Sequence, residues 1–150
     1  MTEALFYHLE KARVESVLPE LLERTLERGW RALVRCGDRA GVERIDELLW
    51  TYRDDSFLPH SAETALAGRD PVHLTDDSDL ENGADILFLI EGARGDAARI
   101  GAYKRCVLIF NGADEVELAA AREFWKNARA NGAEATYWRQ SADGRWKKQE

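Results

Sequence analysis

The residues with the clearest chemical potential lie in one segment near the carboxyl end of the chain. A leucine, a tryptophan and three cations have spacings that place them along one side of a helix: Leu118, Arg122, Trp125, Lys126 and Arg129. Guanidinium groups pair bidentately with carboxylates, and the indole and leucine side chains offer an apolar contact surface beside them. This cationic stripe is therefore suited to binding an apolar side chain that carries a carboxylate.

Two other interpretations of the cationic stripe stay open from the sequence. The pattern is also typical of a solvated helix whose Trp125 is tucked over the edge of a sheet. Alternatively, aromatic and basic side chains together stack on and neutralise single-stranded nucleic acid, although three cations beside an acidic body are few for that purpose. The same helical spacing predicts a separate packing face made of Val116, Ala120, Phe124, Asn127 and Ala128.

Charge is distributed unevenly along the chain. The 150 residues include 21 Lys and Arg against 28 Asp and Glu, a formal net charge of −7. Residues 121–150 contain seven basic and four acidic groups, a balance of +3 that leaves −10 for residues 1–120. An acidic body argues against nucleic-acid binding by the whole surface, whereas the basic portion allows one local site for an anion or an acidic peptide.

Motifs for catalysis, cofactors and metals are absent from the sequence. It contains no GxGxxG, GxxxxGK[ST] or GxSxG segment, and the pair Asn111-Gly112 predicts only a turn. No CxxC or HExxH spacing occurs, and the histidines His8, His60 and His73 have no local partner pattern. We therefore expect no catalytic residue, no cofactor and no metal site, and a hydrogen-bonded structural role for His8.

The two cysteines and the hydropathy of the sequence indicate the cellular compartment of the protein. Cys36 and Cys106 lie inside apolar segments, which favours buried free thiols in a reducing cytoplasm over a disulfide or a redox pair. The longest apolar run, Ile86–Ile90, is far shorter than the ~20 residues of a membrane helix, and the first residues do not form a secretory signal. We expect a cytoplasmic protein with no membrane contact.

Hydrophobic periodicity predicts alternating strands and helices. Strands are expected at 3–9, 30–36, 84–91, 105–110 and 135–140, and helices at 16–28, 39–49 and 114–131. Ser16 is expected to cap the first helix, with Pro19 in its first turn and Gly29 at its end. Residues 51–83 are the least regular part, and residues 141–144 form a turn. The continuous apolar strands indicate a mainly parallel sheet in one three-layer α/β domain spanning 1–150.

A second cluster of large apolar side chains follows the second predicted helix. It consists of Trp50, Tyr52, Phe57 and Leu58. Such a cluster covers the edge of a core or, where it is exposed, marks a protein interface. The sequence leaves both interpretations open.

Five segments together resemble the chi subunit of bacterial DNA polymerase III. They are LFYHL (5–9), IDELLWTYRDDSFLPH (45–60), LIFNG (108–112), AREFWKNARANG (121–132) and TYWRQSADGRW (136–146). The resemblance implies a non-catalytic accessory subunit of the clamp-loader assembly, active in DNA replication. It also implies a Rossmann-like α/β fold without a phosphate-binding loop, in agreement with the missing glycines.

The resemblance implies two protein partners. One is the acidic C-terminal tail of single-stranded-DNA-binding protein (SSB), which ends in Pro-Phe and a free carboxylate. Matching the family's motif places tail binding on Arg122, Trp125 and Lys126, with Arg129 and the neighbouring Leu118 as further candidates. The other partner is the psi subunit of the clamp-loader complex, expected at Trp50, Phe57, Pro59 and His60. Single-stranded DNA would then be contacted indirectly, through SSB.

Two alternative functions stay open from the sequence. One is direct binding of single-stranded nucleic acid by the basic carboxyl-terminal portion, and the other is a nucleotide-dependent enzyme on a degenerate α/β scaffold.

The chain also departs from the family at two places. It has a tryptophan at 125, where a tyrosine can occur in relatives, and a longer basic ending, from Arg145 to Lys148, whose role the resemblance leaves open.

Overall fold

The computed structural model describes residues 2–10, 12–52, 59–63, 70–141, 143 and 145–149, which form one sheet with three α-helices. The strands are β1 (Glu3–Leu9), β2 (Ala32–Cys36), β3 (His60–Ser61), β4 (Val72–Thr75), β5 (Ile86–Ile90), β6 (Arg105–Asn111), β7 (Glu134–Gln140) and β8 (Trp146–Gln149). The helices are α1 (Val14–Glu27), α2 (Arg39–Thr51) and α3 (Glu115–Ala130), and Ile100–Ala102 form a 3₁₀ turn.

The sheet is parallel except at one edge. Its strand order is β3-β4-β2-β5-β6-β1-β7-β8, and only the β7–β8 pair is antiparallel. Every residue of β5, and all of β6 from Cys106 to Phe110, is buried, as expected for strands covered on both faces. The predicted mainly parallel sheet is confirmed.

Helices cover both faces of the sheet. Leu18 and Leu22 of α1 and Ile45 and Leu49 of α2 pack in one core cluster with alternate residues of the strands. Phe124 of α3 and its buried neighbours, together with the 3₁₀ turn, pack in a second cluster on the opposite face. The three-layer α/β architecture predicted from the sequence is therefore confirmed, and it places α3 alone on the face opposite α1 and α2.

The first helix differs from its prediction at its start. It begins at Val14 rather than at Ser16, and Arg13 occupies the N-cap position without a side-chain cap. Ser16 is not the cap: its hydroxyl donates to the Arg13 carbonyl at 2.8 Å. Pro19 consequently lies inside the helix. It is not in the first turn, which is the position where a proline removes no backbone hydrogen bond. Gly29 ends the helix as predicted, with φ at +77°.

Two short strands lie in the stretch that the sequence suggested was irregular. β4 pairs with β2, placing Val72 opposite Ala32, and β3 pairs with β4 at the edge of the sheet. The sequence of β4, VHLT, alternates apolar and polar side chains over only four residues, the shortest run that indicates a strand. Its pairing with β2 establishes it as a strand.

None of the helices in the described part of the chain is long and apolar enough to cross a membrane.

Candidate functional site

The cationic stripe lies on α3, which crosses the sheet above β6, β1 and β7. Asp114 caps this helix: its carboxylate accepts hydrogen bonds from the backbone N–H groups of Val116 and Glu117 at 2.9 and 3.1 Å. The predicted helix and its acidic start are confirmed.

The packing face predicted for α3 is wrong in part. Phe124 and Ala128 are buried as expected, but Val116 is 65% exposed and Asn127 is exposed, while Ala121 is buried in their place. The buried face is thus rotated around the helix axis by about 60° from the predicted one, at ~100° per residue. Val116 instead lines a cleft of about 250 Å³ on the side of α3 away from the cationic stripe.

The rotation brings Trp125 against the sheet. Its half-buried ring meets the ring of Phe6 at 5.0 Å and that of Tyr137 at 5.8 Å, both nearly edge to face. Leu118 is also half-buried and packs on the same cluster. The interpretation of Trp125 as an indole tucked over the sheet is confirmed. These contacts pack one part of the indole against Phe6 of β1 and Tyr137 of β7.

The three cations of the stripe remain exposed. The guanidinium carbon of Arg129 lies 5.8 Å from the centre of the Trp125 ring. Among the described residues, no carboxylate lies within 4.0 Å of the charged groups of Arg122, Lys126 or Arg129. The five predicted residues therefore lie along one side of α3, and within the described part of the chain no acid forms an ion pair with the three cations.

A hydrogen-bonded group that the sequence did not reveal borders this surface. The Glu10 carboxylate oxygen Oε1 lies 3.1 Å from His8 Nε2, so Nε2 carries the proton and Nδ1 accepts from the Tyr137 hydroxyl at 2.5 Å. The same Oε1 accepts from Arg139 Nε at 2.7 Å and lies 2.6 Å from its Nη2. His8 thus has the structural, hydrogen-bonded role predicted for it.

The positive charges of Arg122 and Arg139 both act on His8. Burial and then the positive charge of Arg139 lower the pKa of His8, Arg122 adds to this effect, and Glu10 opposes it. The hydrogen bond from Arg139 in turn lowers the pKa of Glu10. Arg122 on α3 and Arg139 on β7 also both act on the pKa of Tyr137, which burial raises. Basic groups from two separate elements therefore influence both members of the His8–Tyr137 pair.

Gly112, in the predicted Asn111-Gly112 turn, lies against the His8 side chain. Gly112 forms the predicted turn, and its N–H donates to the Leu9 carbonyl at 2.8 Å. A Cβ atom on Gly112 would lie 1.8 Å from His8 Nε2. The glycine is needed for the close approach of this turn to the imidazole.

The second predicted surface lies at the opposite edge of the sheet. Trp50 is 54% exposed at the end of α2, and its ring lies 4.5 Å from that of His60 in the edge strand β3. The buried His60 is held by Asp46, with 3.1 Å between Nε2 and Oδ1. Pro59 is half-buried beside it, and Phe57 lies outside the described residues. α2 and α3 cover opposite faces of the sheet, so the two predicted surfaces lie apart.

Within the part of the chain that the structure describes, no group of three or more His, Cys, Asp or Glu side chains is placed to hold a metal ion.

Comparison with known proteins gives one family. A family model described as DNA polymerase III chi subunit, HolC, matches residues 1–136. A protein named probable DNA polymerase III subunit chi, from Rickettsia prowazekii (strain Madrid E), is 23% identical over 111 residues, which cover 73% of this chain and 66% of the relative.

Two further relatives are named DNA polymerase III subunit chi. The one from Escherichia coli (strain K12) is 33% identical over 78 residues, which cover 47% of this chain and 50% of the relative. The one from Pseudomonas aeruginosa (strain PAO1) is 31% identical over 64 residues, which cover 41% of this chain and 45% of the relative. The matched parts of the chain thus span between about half and two thirds of these relatives' own length.

Proposed function

The chain belongs to the DNA polymerase III chi-subunit family, and on that premise we propose that it is a non-catalytic adaptor in DNA replication. It binds the acidic C-terminal tail of SSB on α3 and links SSB to the clamp loader through a psi subunit.

The observation that supports tail binding is the uncompensated charge around a fixed indole. Trp125 is held by Phe6 and Tyr137, and its remaining surface, with Leu118, offers an apolar floor for a terminal phenylalanine. Arg122 and Lys126 lie beside this floor without an internal ion pair among the described residues, and they receive the terminal carboxylate. Recognition of an anionic peptide terminus uses all of these groups.

The expected affinity is micromolar, about −8 kcal/mol. Each contact between an exposed cation and a carboxylate contributes little by itself and is screened by salt. The affinity should therefore fall as the salt concentration rises, while the contact with Trp125 preserves a salt-independent part.

Isothermal titration with a synthetic SSB tail peptide tests this proposal. Arg122→Ala and Lys126→Ala should each weaken binding about two- to fivefold or more, the range of an exposed charge pair. A matched control is Arg28→Ala, because Arg28 also lies over a tryptophan, 5.2 Å from the ring of Trp30, but follows α1 on the opposite face. Lack of binding by the wild type, or equal binding by all three variants, would refute the proposal.

A bare oligonucleotide separates this function from direct nucleic-acid binding. Fluorescence anisotropy without SSB should show no tight association at physiological salt, because the body of the chain carries the opposite charge to the basic portion. Tight binding under these conditions would instead favour a single-strand-binding module.

The exposed Trp50 supports the assignment of the second partner. Tryptophan is enriched in the cores of protein interfaces, and Trp50 exposes 54% of its side chain beside His60. Trp50→Ala should abolish co-elution with a psi subunit and leave the affinity for the SSB tail unchanged. Co-elution that survives this substitution would contradict the assignment.

A further inference from the structure

The basic ending of the chain contributes to the same face as α3. In the antiparallel β7–β8 pair, Arg139 lies directly opposite Lys147. Residues two apart in a strand share a face, so Arg139 shares the face of Tyr137, which contacts Trp125 of α3. Cross-strand partners also share a face. Lys147 therefore projects on the side of the sheet that carries the cationic stripe.

The neighbouring Lys148 belongs to the other face. It lies opposite Trp138, which lines a cleft with Val17 and Leu21 of α1. Lys147 and Lys148 are both exposed and adjacent in sequence. Their side chains belong to opposite faces of the sheet.

The Arg139–Lys147 pair places two positive charges side by side. Like charges directly opposite each other on a sheet are destabilising. Among the described residues, no carboxylate lies within 4.0 Å of the Lys147 ammonium, and the exposed Arg139 side chain has only Glu10. Together with the three cations of α3, Arg139 and Lys147 give this face of the sheet five positive charges. Five positive charges are complementary to a peptide segment with several carboxylates, and not to a single terminal carboxylate.

We propose that the β7–β8 hairpin is the second half of the peptide-binding surface. Arg139 and Lys147 bind acidic side chains that precede the carboxyl terminus of the peptide, while α3 binds the terminus itself. This proposal rests on the proposed function and extends it from recognition of one terminal residue to recognition of an acidic segment.

Glu10 occupies Arg139 in the free protein. Its Oε1 accepts from Arg139 Nε at 2.7 Å and from His8 Nε2 at 3.1 Å, so one carboxylate oxygen bonds to a side chain of β7 and to one of β1. A carboxylate of the peptide competes with Glu10 for the guanidinium. Removal of the Glu10 charge should therefore strengthen peptide binding, whereas removal of the Arg139 charge should weaken it.

Titration calorimetry with two peptides tests the proposal. Both end in phenylalanine with a free carboxylate, and they differ only in the preceding residues, which are aspartates in one and asparagines in the other. Lys147→Gln and Arg139→Gln should weaken binding of the acidic peptide about two- to fivefold, and Glu10→Gln should strengthen it by a similar factor. For the asparagine peptide all three variants should bind as the wild type does. Thermal melts confirm that each variant is folded.

Lys148→Gln is the matched control and should leave both affinities unchanged. Equal effects of Lys147→Gln and Lys148→Gln overturn the proposal, while a loss confined to Arg122→Ala still supports the function of α3. Absence of peptide binding by the wild type overturns both proposals. If Lys147→Gln weakens binding of an oligonucleotide and not of the acidic peptide, the hairpin is a nucleic-acid surface, and the inference fails.

Discussion

Trp125 connects the stability of the fold to the proposed binding surface. Trp125→Ala removes a half-buried indole from its contacts with Phe6 at 5.0 Å and Tyr137 at 5.8 Å. A fully buried Trp→Ala substitution costs about 3–5 kcal/mol, and the exposed part of this ring reduces the loss to roughly half. The two edge-to-face contacts, worth about 0.5–1.5 kcal/mol each, are part of this figure and place Trp125 at its upper end. We therefore expect a loss of about 2–3 kcal/mol in the free energy of unfolding.

Differential scanning calorimetry measures this loss directly. For a chain of this size, about 1 kcal/mol lowers the melting temperature by about 2–4 °C, so Trp125→Ala should melt about 5–10 °C below the wild type. Trp125→Phe keeps an aromatic ring against Phe6 and should lose less. Trp50→Ala is the matched control: Trp50 is 54% exposed, and its removal should lower the melting temperature by less than half as much.

Binding and stability should fall together in Trp125→Ala. At a temperature where the variant is folded, its affinity for the SSB tail peptide should be at least tenfold lower, because the apolar floor is gone while the cations remain. A wild-type melting temperature would refute the packing of Trp125 on the sheet. A wild-type affinity in the folded variant would refute its place in the peptide site.

Three further results are expected. Ellman's reagent should modify Cys36 and Cys106 only after unfolding, because burial raises the pKa of each thiol to about 12; rapid labelling of the native protein would contradict this. Urea melts should give a lower free energy of unfolding at about pH 5.5 than at about pH 7.5, since the pKa of His8 is below its unfolded value of about 6.5 and protonation therefore favours the unfolded chain. His73 acts in the same direction, so His8→Gln should reduce this pH dependence without abolishing it, and an unchanged dependence would exclude His8 as a source. Gly112→Ala should lower the melting temperature by about 5 °C or more because its Cβ would lie 1.8 Å from His8 Nε2, and a wild-type value would refute this close approach.

The third helix illustrates how far sequence reasoning reached into the site. The spacing of Arg122, Trp125 and Arg129 was enough to place them together on one side of a helix. It was not enough to orient the helix, because alanines on both sides of it made Ala121 and Ala120 equivalent in the pattern. The orientation depends on Phe6 and Tyr137, which supply an apolar contact for Trp125 from strands distant in sequence.

The partners of the charged residues show the same limit. The sequence identified a basic portion, but it did not distinguish Arg139, which Glu10 occupies, from Arg122, which has no internal ion pair among the described residues. It also did not separate Lys147 from Lys148, since the register of β8 against β7 assigns their faces.

The sequence by itself determined the three helices, the strands β1, β2, β5, β6 and β7, the mainly parallel sheet, and the lack of a glycine-rich phosphate-binding motif. These properties are local, because hydrophobic periodicity and turn residues act within about ten residues of chain. The sequence did not reveal the short strands β3, β4 and β8. Only the tertiary structure decided which face of α3 is buried and which cations have no internal ion pair among the described residues. It also decided that His8 bonds to Tyr137, 129 positions away in the sequence. Such contacts depend on strand register and on burial, which arise only when distant segments pack together.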